Sequence, residues 1–303
     1  MTTSTEARGT LTTRPPRERR RKPGTTRRQF GTAGAYLLLT ALSLTILMPL
    51  GWMLTVALKP DLAPVFTEPT QWFPTSDWHW ENFGRALLDP QQPFLRYTLN
   101  TLVIVALNVV GTVMSCAMVG YAFARLRFRG RDFLFGVLVV TLLIPWQVLL
   151  IPQFLLYLKL GWYGSILPLV VPSFFGNAFF IFLIRQYIRS IPRELELAAT
   201  IDGCNQWQVF WYIVLPLCRP VLAVCVVFVF LTTWNDLLGP LVYLTRGDSY
   251  TVAIGLSNMV SRLNPQMNLL MAANLVVMIP PIVLYFVAQN KLIGGIASVG
   301  LKG

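Results

Sequence analysis

Apolar residues dominate six long segments of the chain, and shorter polar stretches separate them. Each segment holds about 20 or more mostly uncharged residues, enough for a helix to cross a bilayer core of roughly 30 Å. The six cover residues 35–58, 98–123, 133–157, 165–187, 220–243 and 269–290. The pattern predicts an all-α membrane protein with six transmembrane helices in one membrane domain, residues 35–303.

Proline interrupts two of the predicted spans. Pro145 and Pro152 lie in the third, and Pro168 and Pro172 lie in the fourth. Each proline removes a backbone donor and bends its helix. The bends either line a solute path or only shape the bundle, and both interpretations stay open.

A strongly basic segment precedes the first span. Residues 1–34 contain nine Lys or Arg and too few apolar residues to form a core. A signal peptide would have a shorter apolar run than residues 35–58 and a small-residue cleavage pattern after it. We expect a disordered, basic cytoplasmic tail over 1–34.

The distribution of Lys and Arg predicts the orientation of the spans. Six spans place both termini on one side, and assigning that side to the cytoplasm puts 19 of the 25 basic residues there. Basic residues favour the cytoplasmic side. We therefore expect both termini to be cytoplasmic.

The composition excludes several classes of protein. Hydrophobic residues make up 54% of the chain and charged residues 13%, far from the balance of a soluble domain. The net charge of +12 is concentrated beside apolar runs, where topology and anionic lipid explain it, so we expect no nucleic-acid partner. The four cysteines form no CxxC pair and His79 is the only histidine, so we expect no metal site.

One loop on the predicted cytoplasmic side, residues 188–219, is much longer than loops inside a compact bundle usually are. Pro192 suits a helix start, and Glu194 and Glu196 fall in the first turn, where the helix dipole favours acids. Ala198 and Ala199 continue the helix. These residues predict a short helix from about 193 to 201.

A second helix is predicted after Gly203, which permits a sharp change of direction. Trp207, Phe210 and Trp211 follow it as an apolar stripe at helical spacing. Helix, glycine and helix together form a surface projection, and Leu215-Pro216 joins it to the next span. Such a projection suits docking into a groove on a moving partner.

Asp236 is the only acidic residue well inside a predicted span. Ionisable groups within a membrane are costly and point to function. Asp236 could bind solute hydroxyls or gate a path, or it could be a structural group packed near Asn235. For Trp234 two roles are likewise open, stacking on a sugar and packing. Trp234, Asn235 and Asp236 together are a possible translocation path.

The long loop resembles the EAA motif of bacterial ABC importer permeases. That motif reads Glu-Ala-Ala, three residues, Gly, nine residues, Ile, one residue, Leu-Pro. The matching positions here are Ala198, Ala199, Gly203, Ile213, Leu215 and Pro216. Leu197 stands where the motif has its glutamate, and Glu196 carries a carboxylate one residue earlier.

Further elements resemble the carbohydrate branch of this family, the second permease of maltose-type importers. They include Asp202-Gly203, Trp234-Asn235-Asp236 with Pro240-Leu241, Asn100-Thr101, Tyr121 to Arg125, and Gly294 to Gly303. The resemblance covers roughly residues 70–303. It implies the type I importer fold, in which the loop acts as a cytoplasmic coupling helix. It also implies that the protein lies in the inner membrane of a bacterium.

The resemblance also implies partners and a division of labour. The expected assembly has a homologous permease as heterodimer partner, two ATP-binding subunits and an extracytoplasmic solute-binding protein. No Walker A pattern occurs in the chain, so ATP and Mg would be bound by the partner ATPase and this chain would carry no cofactor. The residues assigned to ATPase coupling are Glu194, Glu196, Ala198, Ala199, Asp202, Gly203, Ile213, Leu215 and Pro216.

Three alternatives to a sugar importer remain. The solute could be a non-sugar compound such as a polyol phosphate. A membrane enzyme using Asp236 with Glu194 or Glu196 is disfavoured because nothing completes its site. An ATP-independent channel or secondary transporter would need no long docking loop.

Overall fold

The computed structural model describes residues 25–61, 78–89, 93–260 and 266–300. Within these ranges the regular elements are helices. Fifteen α-helical segments are numbered in chain order: α1 (Thr25–Ala57), α2 (Glu81–Leu88), α3 (Phe94–Arg125), α4 (Arg131–Thr141), α5 (Trp146–Lys159), α6 (Leu167–Val170), α7 (Ala178–Ser190), α8 (Glu194–Ile201), α9 (Gln206–Gln208), α10 (Leu215–Leu217), α11 (Arg219–Trp234), α12 (Leu238–Tyr243), α13 (Val252–Val260), α14 (Met267–Val277) and α15 (Ile279–Gly300).

Short stretches of tighter and wider helix connect some of these segments. A 3₁₀ turn, Val171–Phe175, follows α6, and another covers Gly247–Ser249. A π-helix, Val209–Val214, lies between α9 and α10.

Six candidate spans account for most of the described chain. Four are single stretches long and apolar enough to cross a bilayer: Gly34–Ala57, Phe94–Arg125, Leu167–Ser190 and Met267–Gln289. Two more consist of bent pairs, α4 with α5 at 98° and Gln206–Leu217 with α11 at 74°. The prediction of an all-α membrane protein is confirmed.

Two boundaries differ from the sequence prediction. Helix α11 ends at Trp234, although one helix was expected over 220–243. The side chain of Asp236 accepts a hydrogen bond from the Gly239 backbone at 3.1 Å, and this turn starts α12. Helix α1 begins at Thr25, inside the segment expected to be a disordered tail, and residues 1–24 of that segment lie outside the described residues.

The chain divides into two units, Met1–Leu50 and Gly51–Gly303. The described part of the first is most of α1, whose apolar side chains such as Leu37 and Ile46 are exposed. Since lipid is as apolar as leucine, such a surface suits a membrane-facing helix.

Helix α3 is the centre of the second unit and packs along α7 and α11. Gly120 allows the close approach to α7, because a Cβ there would lie 3.1 Å from the Ile184 side chain. Small residues at helix contacts are typical of membrane bundles. Buried side chains of these three helices and of the long loop form one apolar core, which includes Cys116, Ile184, Phe210 and Cys225.

A polar clasp joins the segment after α1 to α2 and α14. Arg85 donates to both carboxylate oxygens of Asp61, at 2.8 and 3.1 Å, and Asn268 donates to the same carboxylate at 2.9 Å. Asn82 donates to the backbone carbonyl of Lys59 at 3.0 Å. Hydrogen bonding by Arg85, followed by that of Asn268, lowers the pKa of Asp61 below its ordinary 3.8.

We expect Asp61→Asn to lower the free energy of unfolding at neutral pH by less than about 1 kcal/mol, because the ion pair is exposed and screened. A lowered pKa contributes stability above 3.8 and loses it as the pH falls through the folded-state value. The difference between wild type and variant should therefore vanish well below pH 3.8. Loss of the helical circular-dichroism signal on heating, recorded at neutral pH and well below pH 3.8, would measure it.

A double-mutant cycle tests whether Arg85 is the partner responsible. Arg85→Gln should cost about as much as Asp61→Asn, and the double variant should cost less than their sum. Strict additivity, or an equal difference at both pH values, would contradict this account.

Candidate functional site

Three interruptions of the helices meet at a cavity of about 560 Å³. Trp146 follows the bend between α4 and α5, Asn177 precedes α7, and Asp236 follows α11, and all three residues line the cavity. Irregular backbone at membrane depth is tolerated where it is buried in protein or lines a water-filled space. The arrangement is typical of the solute site of a transporter.

The remaining lining comes mainly from α3, α7 and α11. Its aromatic rings are Trp146, Phe179, Phe180 and Phe228. Its polar side chains are Thr101, Asn108, Asn177, Thr232, Thr233, Asp236 and Thr251. Aromatic side chains together with polar groups that converge from several helices are typical of a small-molecule site.

Two of these polar side chains have an oxygen without a hydrogen-bond partner. They are Oδ1 of Asn108 and Oγ1 of Thr251, and both atoms are out of solvent contact. The Asn108 amide nitrogen reaches Thr233 at 3.4 Å, a long contact. Buried polar atoms are nearly always paired, so unpaired ones beside a cavity point to a further role.

Only one of the three residues predicted for a translocation path lies at the cavity. Asp236 lines it, half-buried. Trp234 is 3% exposed and stacks on Phe230, with ring centroids 5.4 Å apart, as expected for a packing residue. Asn235 is exposed and donates to the Leu231 carbonyl at 2.8 Å, which ends α11.

The long loop begins with the predicted short helix, which is confirmed as α8. It ends in a Schellman motif, in which Gly203 N–H donates to Thr200 and Cys204 N–H donates to Ala199, at 3.1 and 2.9 Å. Gly203 has φ of 89°, a region that L-residues avoid. The glycine turn inferred from the sequence is therefore present.

The second helical part of the loop starts with a capping box. Asn205 accepts from the Gln208 backbone at 3.0 Å, and the Gln208 side chain accepts from the Asn205 backbone at 2.8 Å. The predicted apolar stripe divides between two environments. Phe210 is buried against Tyr121 at the end of α3, whereas Trp207 and Trp211 are exposed.

The loop is fastened to α3 by a buried ion pair. Arg125 Nε lies 2.5 Å from Glu196 Oε1, and the two side chains are 8% and 11% exposed. Arg125 also donates to the Ile191 carbonyl at 2.7 Å, and Arg193 donates to the Arg125 carbonyl at 3.4 Å. Glu196 is thus engaged within its own chain.

The outer face of the loop is apolar with a few charges. Leu197, Ile201 and Tyr212 are 57%, 87% and 74% exposed, and Glu194 and Asp202 lie exposed on the same loop. Ala199 is buried against the core, while Ala198 is exposed and Ile213, Leu215 and Pro216 are half-buried. An exposed apolar patch with a polar rim marks an interaction surface.

A match to a known protein family identifies the chain that carries this loop and cavity. The family described as binding-protein-dependent transport system inner membrane component matches residues 116–296, which include the loop and most of the cavity-lining segments. The chain belongs to this family. It is therefore a multi-pass transport subunit, and the family predicted from the sequence is confirmed.

Individual relatives agree with the family assignment. The arabinooligosaccharides transport system permease protein AraQ of Halalkalibacterium halodurans is 34% identical over 204 residues, covering 67% of this chain and 73% of its own. The diacetylchitobiose uptake system permease protein DasC of Streptomyces coelicolor is 29% identical over 276 residues, covering 90% and 98%.

A solved structure has the same fold. It is a bacterial ABC transporter involved in the import of the acidic polysaccharide alginate. One of its chains matches this permease with a TM-score of 0.74 and 25% identity, covering 89% of this permease and 98% of that chain.

Several residues at these sites carry little or no signal in the sequence. Arg125 stood out in the sequence only as the end of the resembling segment Tyr121 to Arg125, because no neighbouring residue identifies its partner. Asn108 and Thr251 gave no motif. A polar residue within an apolar run, such as Asn108, is the one signal that could have suggested the cavity.

Proposed function

We propose that this chain is the permease subunit of an ATP-driven importer of sugars or sugar-like solutes. In this proposal the chain forms half of the translocation path and takes its energy from a separate cytoplasmic ATPase through the loop of residues 188–219. The observation that carries it is the Arg125–Glu196 ion pair, because α3 bears both that fastening and one wall of the cavity.

Docking to the ATPase would use the exposed face of the loop. Leu197, Ile201 and Trp207 supply apolar contact, and Glu194 and Asp202 supply charge at its edge. The motif's glutamate is replaced by Leu197, so an apolar contact stands where a charged one would be expected. The Schellman motif at Gly203 keeps α8 and the following helix at a fixed angle.

Transmission to the cavity would run along α3. Arg125 is at one end of this helix, and Asn108 lies 17 residues earlier, which corresponds to about 25 Å along the axis. Helices and packed cores move as rigid bodies and have discrete arrangements. A displacement of the loop by the ATPase would therefore shift the cavity wall and favour one of two access states.

The other subunits of the assembly are inferred from the parts of an importer that this chain does not supply. Aromatic rings that line the cavity are about half exposed, Trp146 and Phe228 at 50% each, which supports a homologous permease as the second half. ATP and Mg would be held by two ATP-binding subunits, and an extracytoplasmic binding protein would deliver the solute. The distribution of Lys and Arg along the chain supports a cytoplasmic position for the loop and for both termini.

The names of the relatives support a sugar as solute, since they concern arabinooligosaccharides and diacetylchitobiose. We expect proteoliposomes with the complete complex and binding protein to take up a labelled oligosaccharide only when ATP is supplied on the loop side. Uptake that persists without the ATPase subunits would indicate a passive channel. The control is the same complex supplied with ADP.

A further inference from the structure

Four arginines lie at the end of the bundle that carries the long loop, and they form an arginine corner. Arg127 follows α3, Arg131 begins α4, and Arg185 and Arg189 lie in the last turns of α7. Arg185 is repelled by Arg131 and Arg189 and attracted by Asp132. In the described part of the chain, Asp132 is the one carboxylate that forms an ion pair with any of the four. Positive charge is therefore in excess at this corner.

Arg185 is the buried member of the arginine corner. It is 8% exposed, and no described carboxylate lies within ion-pair distance of its guanidinium. Its Nε donates to the Phe123 carbonyl at 3.4 Å, a long contact, and its guanidinium carbon lies 3.7 Å from the centroid of the Phe135 ring. Buried charges are usually paired with an opposite charge. An anion bound beside Arg185 would offset the repulsion among the arginines.

A cavity of about 400 Å³ opens beside two of these arginines. Its lining consists of Arg127, Phe128, Gly130, Arg131, Asp132 and Phe133. The Nε of Arg131 donates to Asp132 at 2.9 Å, whereas its other N–H groups and those of Arg127 have no acceptor among the described residues. Guanidinium groups bind phosphate through paired N–H donors. The cavity therefore suits a phosphate ester.

Exposed apolar surface continues from the cavity along α4. Phe133, Leu134 and Val137 are 74%, 48% and 47% exposed, and they follow Arg131 within two turns of the helix. Helix α4 is the first part of a candidate span, so this surface lies at the membrane boundary. A free phosphate ion would gain nothing from it, whereas a phospholipid has acyl chains beside its headgroup. Basic pockets between spans on the cytoplasmic side bind anionic headgroups in other membrane proteins.

We propose that the arginine corner binds the headgroup of an anionic phospholipid, with its phosphate between Arg127 and Arg131 and its acyl chains against the exposed face of α4. The proposal goes beyond the proposed transport function, because it assigns a lipid ligand to a part of the chain outside the central cavity and the docking face of the long loop. The bound headgroup supplies the negative charge that is missing beside Arg185.

Gly136 provides a position for a probe on the lipid-facing side of α4. It is exposed, and a Cβ there would meet nothing within 4 Å. The Gly136→Cys chain, in its complete complex with the partner permease and the ATPase subunits, would carry a fluorescent maleimide in phosphatidylcholine nanodiscs. A small fraction of the lipid would have brominated acyl chains, which quench the probe on contact, and either a phosphatidylglycerol or a phosphatidylcholine headgroup. Complex without Gly136→Cys gives the background from the native cysteines.

We expect brominated phosphatidylglycerol to quench the probe about two- to fivefold more strongly than brominated phosphatidylcholine, because each nearby arginine attracts an anionic lipid. The ratio should fall toward one at high salt, which screens the attraction.

Three substitutions in the Gly136→Cys background test the named residues. Arg127→Gln and Arg131→Gln should each lower the quenching ratio by about half. Arg129→Gln is the matched control, because Arg129 is exposed in the same segment but does not line the cavity, and it should leave the ratio unchanged. Elution of each variant complex at the wild-type volume checks its assembly.

Three outcomes would overturn the proposal. Equal quenching by the two lipids in the complex without arginine substitutions would show that no anionic lipid is preferred here. An equal fall of the ratio in Arg129→Gln would show attraction by surface charge in general. Loss of the preference on adding inorganic phosphate, compared with chloride at equal ionic strength, would assign the cavity to a free phosphate. ATP-driven uptake enters none of these measurements, so the proposed transport function stands or falls separately.

Discussion

Arg125→Met destabilises the loop end of the permease and lowers ATP-driven uptake at least tenfold. The substitution leaves Glu196 buried without its cation, and breaking one side of a buried pair costs about 3–5 kcal/mol. It also removes the bond to the Ile191 carbonyl, so the start of the loop, from Ile191 to α8, loses two attachments to α3. Thermal unfolding of the purified chain and uptake by the reconstituted complex measure the two effects.

A double variant separates stability from coupling. In Arg125→Met with Glu196→Leu no buried charge remains unpaired, so most of the lost stability should return. If the ion pair also transmits movement, the ratio of solute transported to ATP hydrolysed stays below the wild-type value. Arg129→Met is the matched control, because Arg129 is exposed four residues away. Wild-type stability in Arg125→Met would refute the buried-pair account.

Gly203→Val abolishes co-purification of the ATPase subunits while leaving the spans folded. At φ of 89° a β-branched residue is strained, by at least about 1–2 kcal/mol, and the turn between α8 and the next helix must change. Space is not the cause, since a Cβ at this position would meet nothing within 4 Å. Affinity purification through a tag on this chain, with quantification of the bound ATPase, measures the effect.

Three substitutions at Gly203 test whether backbone strain causes the loss of the bound ATPase. Asn tolerates positive φ better than other residues with a Cβ, so Gly203→Asn should retain most of the ATPase, Gly203→Ala less and Gly203→Val least. The melting temperature should fall by a few degrees at most, in the same order, because strain of about 1–2 kcal/mol in one turn is small beside the packing of the spans. Full recovery of the ATPase with Gly203→Val would argue against this turn as part of the docking surface.

Local chemistry explains why the loop could be predicted closely. Glu194 and Glu196 in a first turn, two alanines and a glycine specify a short helix and its end with neighbouring residues alone. Capping of the next segment by Asn205 is equally local. The ion pair of Glu196 with Arg125 could not be foreseen, since the sequence offers 25 basic residues and no rule that chooses one of them as the partner.

The cavity, in contrast to the loop, could not be predicted from residues that are neighbours in the sequence. Trp234, Asn235 and Asp236 are adjacent in sequence, yet only Asp236 lines the cavity, because α11 ends at Trp234 and the chain turns there. Trp234 packs on Phe230 instead. The side chains that complete the cavity come from α11 itself, from segments before the long loop and from segments after α11, and no spacing pattern connects these segments.

By itself, the sequence determined the membrane class, the approximate position of each span, the helix–glycine–helix form of the loop and the family. These follow from hydropathy, capping and turn preferences, which act between residues close together along the chain. Only the tertiary structure decided that Arg125 holds Glu196, that three helix breaks share one cavity, and which polar oxygens remain unpaired there. Those features depend on how distant segments pack, and packing selects one partner among many that are chemically equivalent in the sequence.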